Sequence, residues 1–348
     1  MSETPTIRLT EFSSGSGCGC KIAPSVLEQI LKSDEKIKYE NLLIGHESRD
    51  DAAVYDLGNR TALISTVDFF TPIVDDAFDF GRIASANALS DVYAMGGKPA
   101  LATAILGWPV DKLPPELATE VLNGARKVCA DAGIPLAGGH SIDTQEPFFG
   151  LSVNGFLKIE NLKPNNTAHE GDFLFLTKPL GSGIFSSAIK RKLISDEDYK
   201  TAIELMTSLN SIGTELGEMK SVHALTDITG FGLLGHMIEM VDGSNLSASI
   251  NFPDVPIAQG AQKYISQMCF PDNTYRNWNA YEKKVEAKEG AWFIPLCDPQ
   301  TNGGLLAAVA PEGVNDFIEL MKKHGNFVSR KPIGKIIRCE KFAVRIEF

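Results

Sequence analysis

The sequence predicts two consecutive domains that both mix helices with strands, an α+β domain followed by an α/β domain. Three observations lead to this fold class. The chain has 348 residues, which is more than one average domain. Strand-like and helix-like stretches alternate in both halves. A polar stretch rich in turn-forming residues, Lys158 to Glu170, separates the two halves and is the predicted linker.

The first predicted unit starts with a loop and continues with strands and helices. Residues 1–20 are expected to form a flexible Gly- and Cys-rich loop, because 11–20 is too poor in large apolar side chains to pack. Residues 21–157 are the predicted N-terminal domain. Its elements are a short helix from Pro24, a hairpin of strands 52–55 and 62–67, an Ala-rich helix over 82–95, a strand over 101–106, a helix over 115–132, and strands over 135–137 and 149–157.

The second predicted unit covers residues 171–348 and repeats the mixture. The sequence has no short-period repeat and no heptad pattern. The predicted elements are strands over 173–176, 248–252, 305–309 and 333–337, and helices over 184–192, 196–218, 231–242 and 314–324.

Composition and charge exclude several classes of protein. Hydrophobic residues make up 43% of the chain, which is enough to form a buried core. The net charge is -11 and the sequence has no basic run, which argues against a nucleic-acid partner. The sequence shows no signal-peptide pattern and no apolar run of the roughly 18–20 residues that cross a bilayer, so we expect a cytoplasmic protein without membrane contact. The six cysteines are sparse, which is typical of reduced thiols.

Five acidic residues occupy positions where a carboxylate is costly or unusual, namely Asp50, Asp51, Asp68, Asp91 and Asp227. The first two precede a predicted strand and Asp68 ends one, although turn-forming acids also occur there for structural reasons. Asp91 lies inside an apolar helix, where an ionised carboxylate needs a metal ion or a basic partner. Asp227 precedes an apolar helix and could be its N-cap. If these carboxylates converge, they favour Mg2+ over Zn2+.

A Gly-Gly pair is a second candidate site. The segment Gly138-Gly139-His140-Ser141 follows a short apolar stretch, and adjacent glycines let backbone N–H groups approach an anion closely. We interpret it as a phosphate-binding turn. As an isolated pattern it equally fits an ordinary tight turn, with His140 as a surface or hydrogen-bonding residue.

The segment Gly17-Cys18-Gly19-Cys20-Lys21 is a third candidate. The neighbouring lysine favours the thiolate form of both cysteines, which suits a soft substrate, whereas the ammonium group suits phosphate. A metal-binding or disulfide-forming pair is the alternative for the thiols. The sequence has no second pair of Cys or His residues at the spacing typical of zinc ligands, which makes a zinc site less favoured.

One motif is misleading. Gly230-x-Gly232-x-x-Gly235 matches the dinucleotide-binding pattern and opens a predicted helix. The preceding segment 223–229 makes a poor buried strand, and no acidic residue ends a strand about 20 residues further on, so we reject this interpretation. A Walker A loop is absent as well, because Lys21 is preceded by Cys20 and not by glycine.

Taken together, a series of motifs resembles that of the bacterial selenophosphate synthetases, in order and along nearly the whole chain. These motifs are Gly-Cys-Gly-Cys-Lys (17–21), Arg-Asp-Asp-Ala-Ala-Val-Tyr (49–55), Ser-Thr-Val-Asp-Phe-Phe (65–70), Asn-Ala-Leu-Ser-Asp-Val-Tyr-Ala-Met-Gly-Gly (87–97), Ala-Gly-Gly-His-Ser-Ile-Asp (137–143), Thr-Asp-Ile-Thr-Gly-Phe-Gly-Leu-Leu-Gly-His (226–236) and Cys-Asp-Pro-Gln-Thr-Asn-Gly-Gly-Leu (297–305).

The resemblance implies a fold, a reaction and partners. Both domains would resemble aminoimidazole ribonucleotide synthetase, with ATP between them and a homodimer formed through the N-terminal sheet. Selenide, ATP and water would give selenophosphate, phosphate and AMP with Mg2+ as cofactor, supplying selenium for selenocysteine and selenouridine synthesis. The resemblance also allows for a transient selenium-delivery protein.

The same motifs imply roles for individual residues. Cys18 matches the family's catalytic cysteine, and Lys21 its essential ATP-contacting lysine. The magnesium ligands would be Asp51, Asp91 and Asp227. The nucleotide contacts would be Lys21, Ser48, Arg49, Asp50, Asp68, Asp91, Gly139, His140 and Ser141. The chain departs from the expected pattern at Asn302, where a small residue such as serine is expected.

Two rival interpretations stay open at this point. Another kinase or synthetase of the same superfamily would act on ribonucleotide, thiamine phosphate or hydrogenase-maturation substrates, and would not need the Cys-x-Cys-Lys segment. A thiol metal carrier would bind metal without turning over ATP.

Overall fold

Two mixed β-sheets organise the computed structural model of the chain, which describes residues 7–13, 30, 39–45, 50–324 and 331–348. The first sheet has the order β1-β2-β3-β6-β4-β5 and is antiparallel except for the β4–β5 pair. The predicted hairpin is confirmed, because β2 and β3 pair as neighbours. The strands are Leu42–Ile44 (β1), Ala53–Asp56 (β2), Thr61–Phe70 (β3), Lys98–Trp108 (β4), Leu136–Asp143 (β5) and Phe148–Lys158 (β6).

Two helices cover one face of this sheet, α1 (Ala77–Ala94) and α2 (Pro115–Asp131). The side chain of Asp76 caps α1 by accepting from the backbone N–H of Asp79, and the helix ends before Gly96, whose φ is +78°. Helix α1 buries 14 of its 18 residues. An amphipathic helix would expose one face, so α1 is covered on its outer side as well.

The second sheet has the order β10-β13-β9-β12-β7-β11-β8. Pairing is antiparallel except for β10–β13 and β13–β9. Its strands are Phe173–Leu176 (β7), Val222–Asp227 (β8), Ser247–Asn251 (β9), Val285–Glu286 (β10), Leu305–Val309 (β11), Gly334–Ile337 (β12) and Val344–Glu347 (β13). The helices of this half are Ser182–Lys190 (α3), Asp196–Thr207 (α4), Ile212–Glu218 (α5), Gly232–Ser244 (α6), Ala261–Ser266 (α7), Asn273–Tyr281 (α8), Phe293–Cys297 (α9) and Val314–Lys323 (α10).

The prediction of one helix over 196–218 is wrong, because the chain leaves the helix between α4 and α5. Ser208 is extended, with φ -66° and ψ 125°. Its carbonyl accepts from Lys178 Nζ at 2.7 Å, and Asn210 Nδ2 donates to Gly303 O at 2.8 Å. These tertiary hydrogen bonds require a loop, and they outweigh the helical propensity of the sequence.

The prediction that 223–229 makes a poor buried strand is also wrong. Strand β8 is buried except at His223, which is partly exposed. Its polar side chains have partners that the sequence does not show: His223 Nδ1 lies 2.9 Å from Asp172 Oδ1, and Thr226 Oγ1 donates to Asp51. The dinucleotide-binding pattern still fails, because β8 pairs only with the antiparallel β11 among the described strands.

The outer side of α1 contacts the second half of the chain through close backbone packing. A Cβ added at Gly213 of α5 would lie 2.2 Å from the carbonyl oxygen of Tyr93, and one added at Gly217 would lie 2.4 Å from that of Gly96. The hydrophobic core on this side is continuous across both halves. It includes Leu9, Phe80 and Ile83 together with Ile184, Phe185 and Tyr264.

Residues 7–13 are the described part of the predicted N-terminal loop. They contain a 3-10 helix, Leu9–Phe12, in which Leu9 is buried. The remainder of that loop and the helix predicted from Pro24 lie outside the described residues, except for Ile30. Among the helices that the structure describes, none has the length and apolar character of a membrane span.

Candidate active site

Strand β3 supplies the first polar groups of the candidate site. Its side chains alternate between the helix-covered face and the open face, as expected for period two. The covered face starts with the buried Ala62 and Ile64 and ends with Phe70, but Thr66 and Asp68 interrupt this apolar series. The prediction that Asp68 ends the strand is wrong, because β3 stays paired with β6 as far as Phe70.

Helix α1 places two polar side chains opposite these groups. Thr66 Oγ1 donates to Asp91 Oδ2 at 2.5 Å, and Asn87 Nδ2 donates to Asp68 Oδ2 at 2.7 Å. Asn87 and Asp91 are one helical turn apart and therefore lie on the same face. The helix and the strand thus hold two of the predicted carboxylates in defined orientations.

A loop of the second domain that includes Asn302 contacts the same face of α1. The backbone N–H of Asn302 donates to Asn87 Oδ1 at 2.8 Å. Asn302 has a left-handed φ of +48°, and its side-chain Nδ2 donates to the carbonyls of Met206 and Ser208 at 2.7 and 2.8 Å. A serine could not make both of these bonds, so the unexpected asparagine has a structural reason here.

Asp51 and Asp227 complete the carboxylate group. Thr226 Oγ1 donates to Asp51 Oδ1 at 3.0 Å. Asp51 Oδ2 is buried and has no hydrogen-bond partner among the described residues. Burial raises the pKa of Asp51 well above its usual value, and the negative charges of Asp227 and Asp91 raise it further. The fold therefore brings Asp91 and Asp227 within electrostatic range of Asp51.

The alternative role of Asp227 as an N-cap is wrong. Helix α6 begins at Gly232, its N-cap position is Phe231, and no side chain caps it. Asp227 is the last residue of the buried strand β8 and is 1% exposed. Asp50 also has a structural contact, because its Oδ1 accepts from the backbone N–H of Asn165 at 2.7 Å.

The donor set fits a hard divalent cation. In the described ranges, no group of three or more His, Cys, Asp and Glu side chains forms a ready-made metal site. The available donors are carboxylate oxygens, which Mg2+ prefers. Burial is the main cause of the raised pKa of Asp51, and a cation near Asp51, Asp91 and Asp227 would offset the repulsion that adds to it.

The prediction of a turn at 138–141 is wrong, because these residues lie within strand β5. A Cβ at Gly139 would lie 2.3 Å from the carbonyl oxygen of Ala104 on β4, so the glycine allows close pairing of the strands. His140 pairs with Ile105 and is exposed, as is Ser141. The structure therefore places Gly139, His140 and Ser141 on an edge strand, and among the described residues no hydrogen bond joins them to the carboxylates.

Lys178 is a residue of this region that the sequence analysis missed. It is 4% exposed, and its Nζ donates to Ser208 O at 2.7 Å and to Asn302 O at 2.9 Å. Burial lowers the pKa of Lys178 to about 7, and the negative charge of Asp227 opposes this shift. The sequence could have indicated Lys178, because a lysine two residues after the apolar strand β7 is as unusual as an aspartate inside an apolar strand.

A second buried polar cluster occupies the start of helix α3. Gln300 Oε1 accepts from the backbone N–H groups of Gly181 and Ser182 at 3.0 and 3.2 Å. Asp298 Oδ2 accepts from Ile184 N at 3.3 Å and from Gln300 Nε2 at 2.7 Å. These side chains satisfy N–H groups that the first turn of a helix leaves unpaired. The motif 297–305 therefore has a structural role in the second domain.

Four predicted site residues lie outside the described residues: Cys18, Lys21, Ser48 and Arg49.

Comparison with known proteins assigns both halves of the chain. A family model described as AIR synthase related protein, N-terminal domain, matches residues 49–157. A model described as AIR synthase related protein, C-terminal domain, matches residues 169–347.

Curated relatives match over nearly the full length. A protein named selenide, water dikinase from Pseudomonas putida is 50% identical over 341 residues, covering 98% of each chain. A protein of the same name from Cronobacter sakazakii is 52% identical over 337 residues, covering 97% of this chain and 96% of the relative.

Solved structures support the fold. The thiamine-monophosphate kinase from Stenotrophomonas maltophilia K279a is 19% identical, with a TM-score of 0.65 over 94% of this chain and 96% of that one. The hydrogenase maturation protein HypE in complex with ATP is 16% identical, with a TM-score of 0.62 over 95% of this chain and 89% of that one. The predicted fold class, with two domains of this superfamily, is therefore confirmed.

Because Asp298 is buried, we predict that the free energy of unfolding depends on pH. Burial raises the pKa of Asp298 to about 7, so between about pH 4 and 7 the folded chain holds a proton that the unfolded chain releases. Its contribution to the free energy of unfolding therefore falls as pH rises through this window, by up to roughly 4 kcal/mol. In Asp298→Asn, urea unfolding at a series of pH values should show a shallower decline than in wild type. The exposed Asp111→Asn should keep the wild-type slope, and an unchanged slope in Asp298→Asn would contradict the assignment.

Proposed function

This chain belongs to the selenide, water dikinase family of AIR synthase related proteins, and on that premise we propose that it uses ATP to phosphorylate selenide. The products would be selenophosphate, phosphate and AMP. The observation that carries the proposal is the position of Asp51, Asp91 and Asp227, whose carboxylates come from both domains and interact electrostatically at the interface between them.

We propose that Asp51, Asp91 and Asp227 hold Mg2+. When bound, the ion would neutralise the charge of the nucleotide phosphates. Two threonine hydroxyl groups already orient these carboxylates. Thr66 and Thr226 each donate to a carboxylate and fix its orientation, so little reorganisation is needed when the nucleotide arrives.

Asp68 is proposed as a nucleotide contact. Its Oδ2 accepts a hydrogen bond from Asn87 Nδ2, so the side chain of Asp68 lies on the helix-covered face of the sheet, as does the carboxylate of Asp91. Asp50, Gly139, His140 and Ser141 are further proposed contacts, carried over from the family motifs. For His140 and its neighbours the position on an exposed edge strand favours a contact with the nucleotide of a partner subunit over one within the same chain.

The proposed chemistry needs little general-base catalysis for its first step. Hydrogen selenide is largely anionic at neutral pH and can attack the γ-phosphorus directly. Lys21 would stabilise the transferring phosphoryl group, Cys18 would hold or deliver selenium, and Cys20 would assist dispensably. Hydrolysis of the remaining ADP requires a positioned water. A selenium-delivery protein would be a transient partner.

We further propose a homodimer that forms through the open face of the first sheet. This face exposes large apolar side chains on neighbouring strands, which a soluble monomer rarely does. Their exposed fractions are 54% for Val67, 51% for Phe69, 38% for Leu101, 49% for Ile142 and 46% for Phe156. The strand pairing places these side chains on one face of the sheet. Leu63 of β3, which lies on the same face as Val67 and Phe69, pairs with Phe156 of β6, and Gly107 of β4 pairs with Ile142 of β5.

The rival activities are less well supported. The thiamine-monophosphate kinase and hydrogenase-maturation structures share the fold but are under 20% identical to this chain. The relatives that are about half identical carry the name selenide, water dikinase. A thiol metal carrier would not need the carboxylates between the domains.

The proposed activity predicts AMP formation from ATP that depends on selenide. Cys18→Ser should lower the selenide-dependent rate at least about a hundredfold, because a hydroxyl is a far weaker soft nucleophile and ligand than a thiolate. The exposed Cys339→Ser is the matched control and should act like wild type. Equal AMP formation with and without selenide in wild type would refute the function, whereas full activity of Cys18→Ser would refute only the role of that thiol.

The metal proposal predicts that Asp51→Asn weakens magnesium-dependent nucleotide binding. The amide removes one anionic ligand, so the Mg2+ concentration needed for half-maximal binding of a non-hydrolysable ATP analogue should rise at least about tenfold. Isothermal titration calorimetry measures this without turnover. Asp56→Asn, at the end of strand β2, which begins two residues after Asp51, is partly exposed and should leave the requirement unchanged. An equal requirement in both variants would contradict the assignment of Asp51.

The dimer proposal predicts that a charge on the open face dissociates the subunits. Phe69→Glu would bury an unpaired carboxylate in the interface, so the dimer dissociation constant should rise at least about a hundredfold in sedimentation equilibrium. Leu193→Glu is the control, because Leu193 is 49% exposed but lies in the second domain. Dimers of unchanged stability in Phe69→Glu would place the interface elsewhere.

A further inference from the structure

The side-chain amide of Asn87 joins the two domains beside the candidate site. Asn87 lies on helix α1 and is fully buried. Its Oδ1 accepts from the backbone N–H of Asn302 in the second domain at 2.8 Å, and its Nδ2 donates to Asp68 Oδ2 at 2.7 Å. The two polar atoms of one amide therefore bond a group from each domain.

The N–H of Asn302 determines which way this amide points. In the reversed orientation, the NH2 group of Asn87 would face the N–H of Asn302, and its oxygen would face the carboxylate of Asp68. The first contact would then join two donors and the second two acceptors, and buried polar groups without a suitable partner are costly. A main-chain donor of the second domain thus ensures that Asp68 receives a hydrogen bond from Asn87.

Asn302 is itself held in a fixed place. It is fully buried, and its Nδ2 donates to the carbonyls of Met206 and Ser208 at 2.7 and 2.8 Å. Its own carbonyl accepts from Lys178 Nζ at 2.9 Å. Three hydrogen bonds to other parts of the second domain therefore position the N–H that bonds Asn87.

The chain of hydrogen bonds ends at a group that a ligand can contact. Asp68 is partly exposed, whereas Asn87 and Asn302 are buried. A donor that bonds one carboxylate oxygen restricts the rotation of the carboxylate, so less freedom is lost when a ligand binds to it. A hydrogen bond to a charged group is also stronger than one between neutral groups, which makes Asn87 an effective restraint.

We propose that Asn87 is a positioning residue, which orients the carboxylate of Asp68 for the nucleotide and is itself oriented by the backbone of Asn302. This inference rests on the proposed function for the role of Asp68 as a nucleotide contact. It makes the affinity for nucleotide depend on the contact between the domains, because the amide keeps its orientation only while the second domain supplies the N–H of Asn302.

The test is a double-mutant cycle in the full-length protein with Asn87→Ala and Asp68→Ala. Isothermal titration calorimetry measures the dissociation constant of a non-hydrolysable ATP analogue at saturating Mg2+. Asn87→Ala alone should raise this constant at least about tenfold, because Asp68 loses a charge-assisted hydrogen bond and samples other orientations. In the Asp68→Ala background the same substitution should change it by less than about twofold, since Asn87 then has no carboxylate to orient.

Two results of this cycle would overturn the proposal. A wild-type dissociation constant in Asn87→Ala would show that Asp68 does not need the amide. A similar loss of affinity in both backgrounds would show that Asn87 acts through the general packing of the domains and not through Asp68. Asn87→Leu keeps the volume of the side chain without its polar atoms, so it should reproduce the result of Asn87→Ala without leaving a cavity.

Ser90→Ala is the matched control. Ser90 lies one turn further along the same helix, and its hydroxyl accepts from Asn210 Nδ2 of the second domain at 2.8 Å. The substitution removes a buried hydrogen bond between the domains but leaves Asn87 and Asp68 unchanged. The dissociation constant should therefore stay within about twofold of wild type. A loss of affinity equal to that of Asn87→Ala would contradict the specific role of Asn87.

Crystal structures of wild type and Asn87→Ala without nucleotide give an independent measurement. We expect the carboxylate of Asp68 to have one orientation in wild type, and a different one or several in the variant. The wild-type orientation in Asn87→Ala would overturn the positioning role. Failure of the wild-type protein to bind the ATP analogue would instead refute the proposed function, and the two structures would still decide whether Asn87 orients Asp68.

Discussion

The structure depends on a helix that is buried on almost every side and yet carries polar side chains. Helix α1 has the first sheet on one side and the second domain on the other. Buried polar groups are costly unless they are hydrogen-bonded. Each of those on α1 therefore requires a partner at a defined place: Asn87 bonds Asp68 and the Asn302 backbone, and Ser90 accepts from Asn210 Nδ2 at 2.8 Å. Satisfying these groups fixes the domains relative to each other and creates the candidate site between them.

The electrostatics of the site follow from the same placement. Burial raises the pKa of Asp51 above its usual value, and repulsion from the neighbouring carboxylates of Asp227 and Asp91 raises it further. Lys178 lies nearby, but burial lowers its pKa to about 7, and its two described hydrogen bonds go to main-chain carbonyls. A buried group of carboxylates from both domains suits a site for a cation and an anionic nucleotide better than a purely structural ion pair does.

The sequence was sufficient for the fold class, most elements and the unusual carboxylates, because these depend on local pattern. Strand β7 and strand β11 have the predicted bounds, and Asp91 was recognised from its apolar helix. The errors arose where tertiary contacts decide. The break at Ser208, the strand at 138–141 and the buried strand β8 all depend on partners distant in sequence. Lys178 and the structural role of Asn302 were missed because they depend on hydrogen bonds between distant positions: Lys178 donates to Asn302, 124 residues away, and Asn302 donates to Ser208, 94 residues away.

The core shared by both halves has a thermodynamic consequence. Leu9, Phe80 and Phe185 pack into one apolar cluster, although they come from the N-terminal segment, the first domain and the second domain. Separating the halves would expose this cluster to water, with a large unfavourable change in hydration. Unfolding of one half would therefore expose part of the core of the other half, so we expect the unfolding of the two units recognised in the sequence to be coupled in calorimetry and hydrogen exchange.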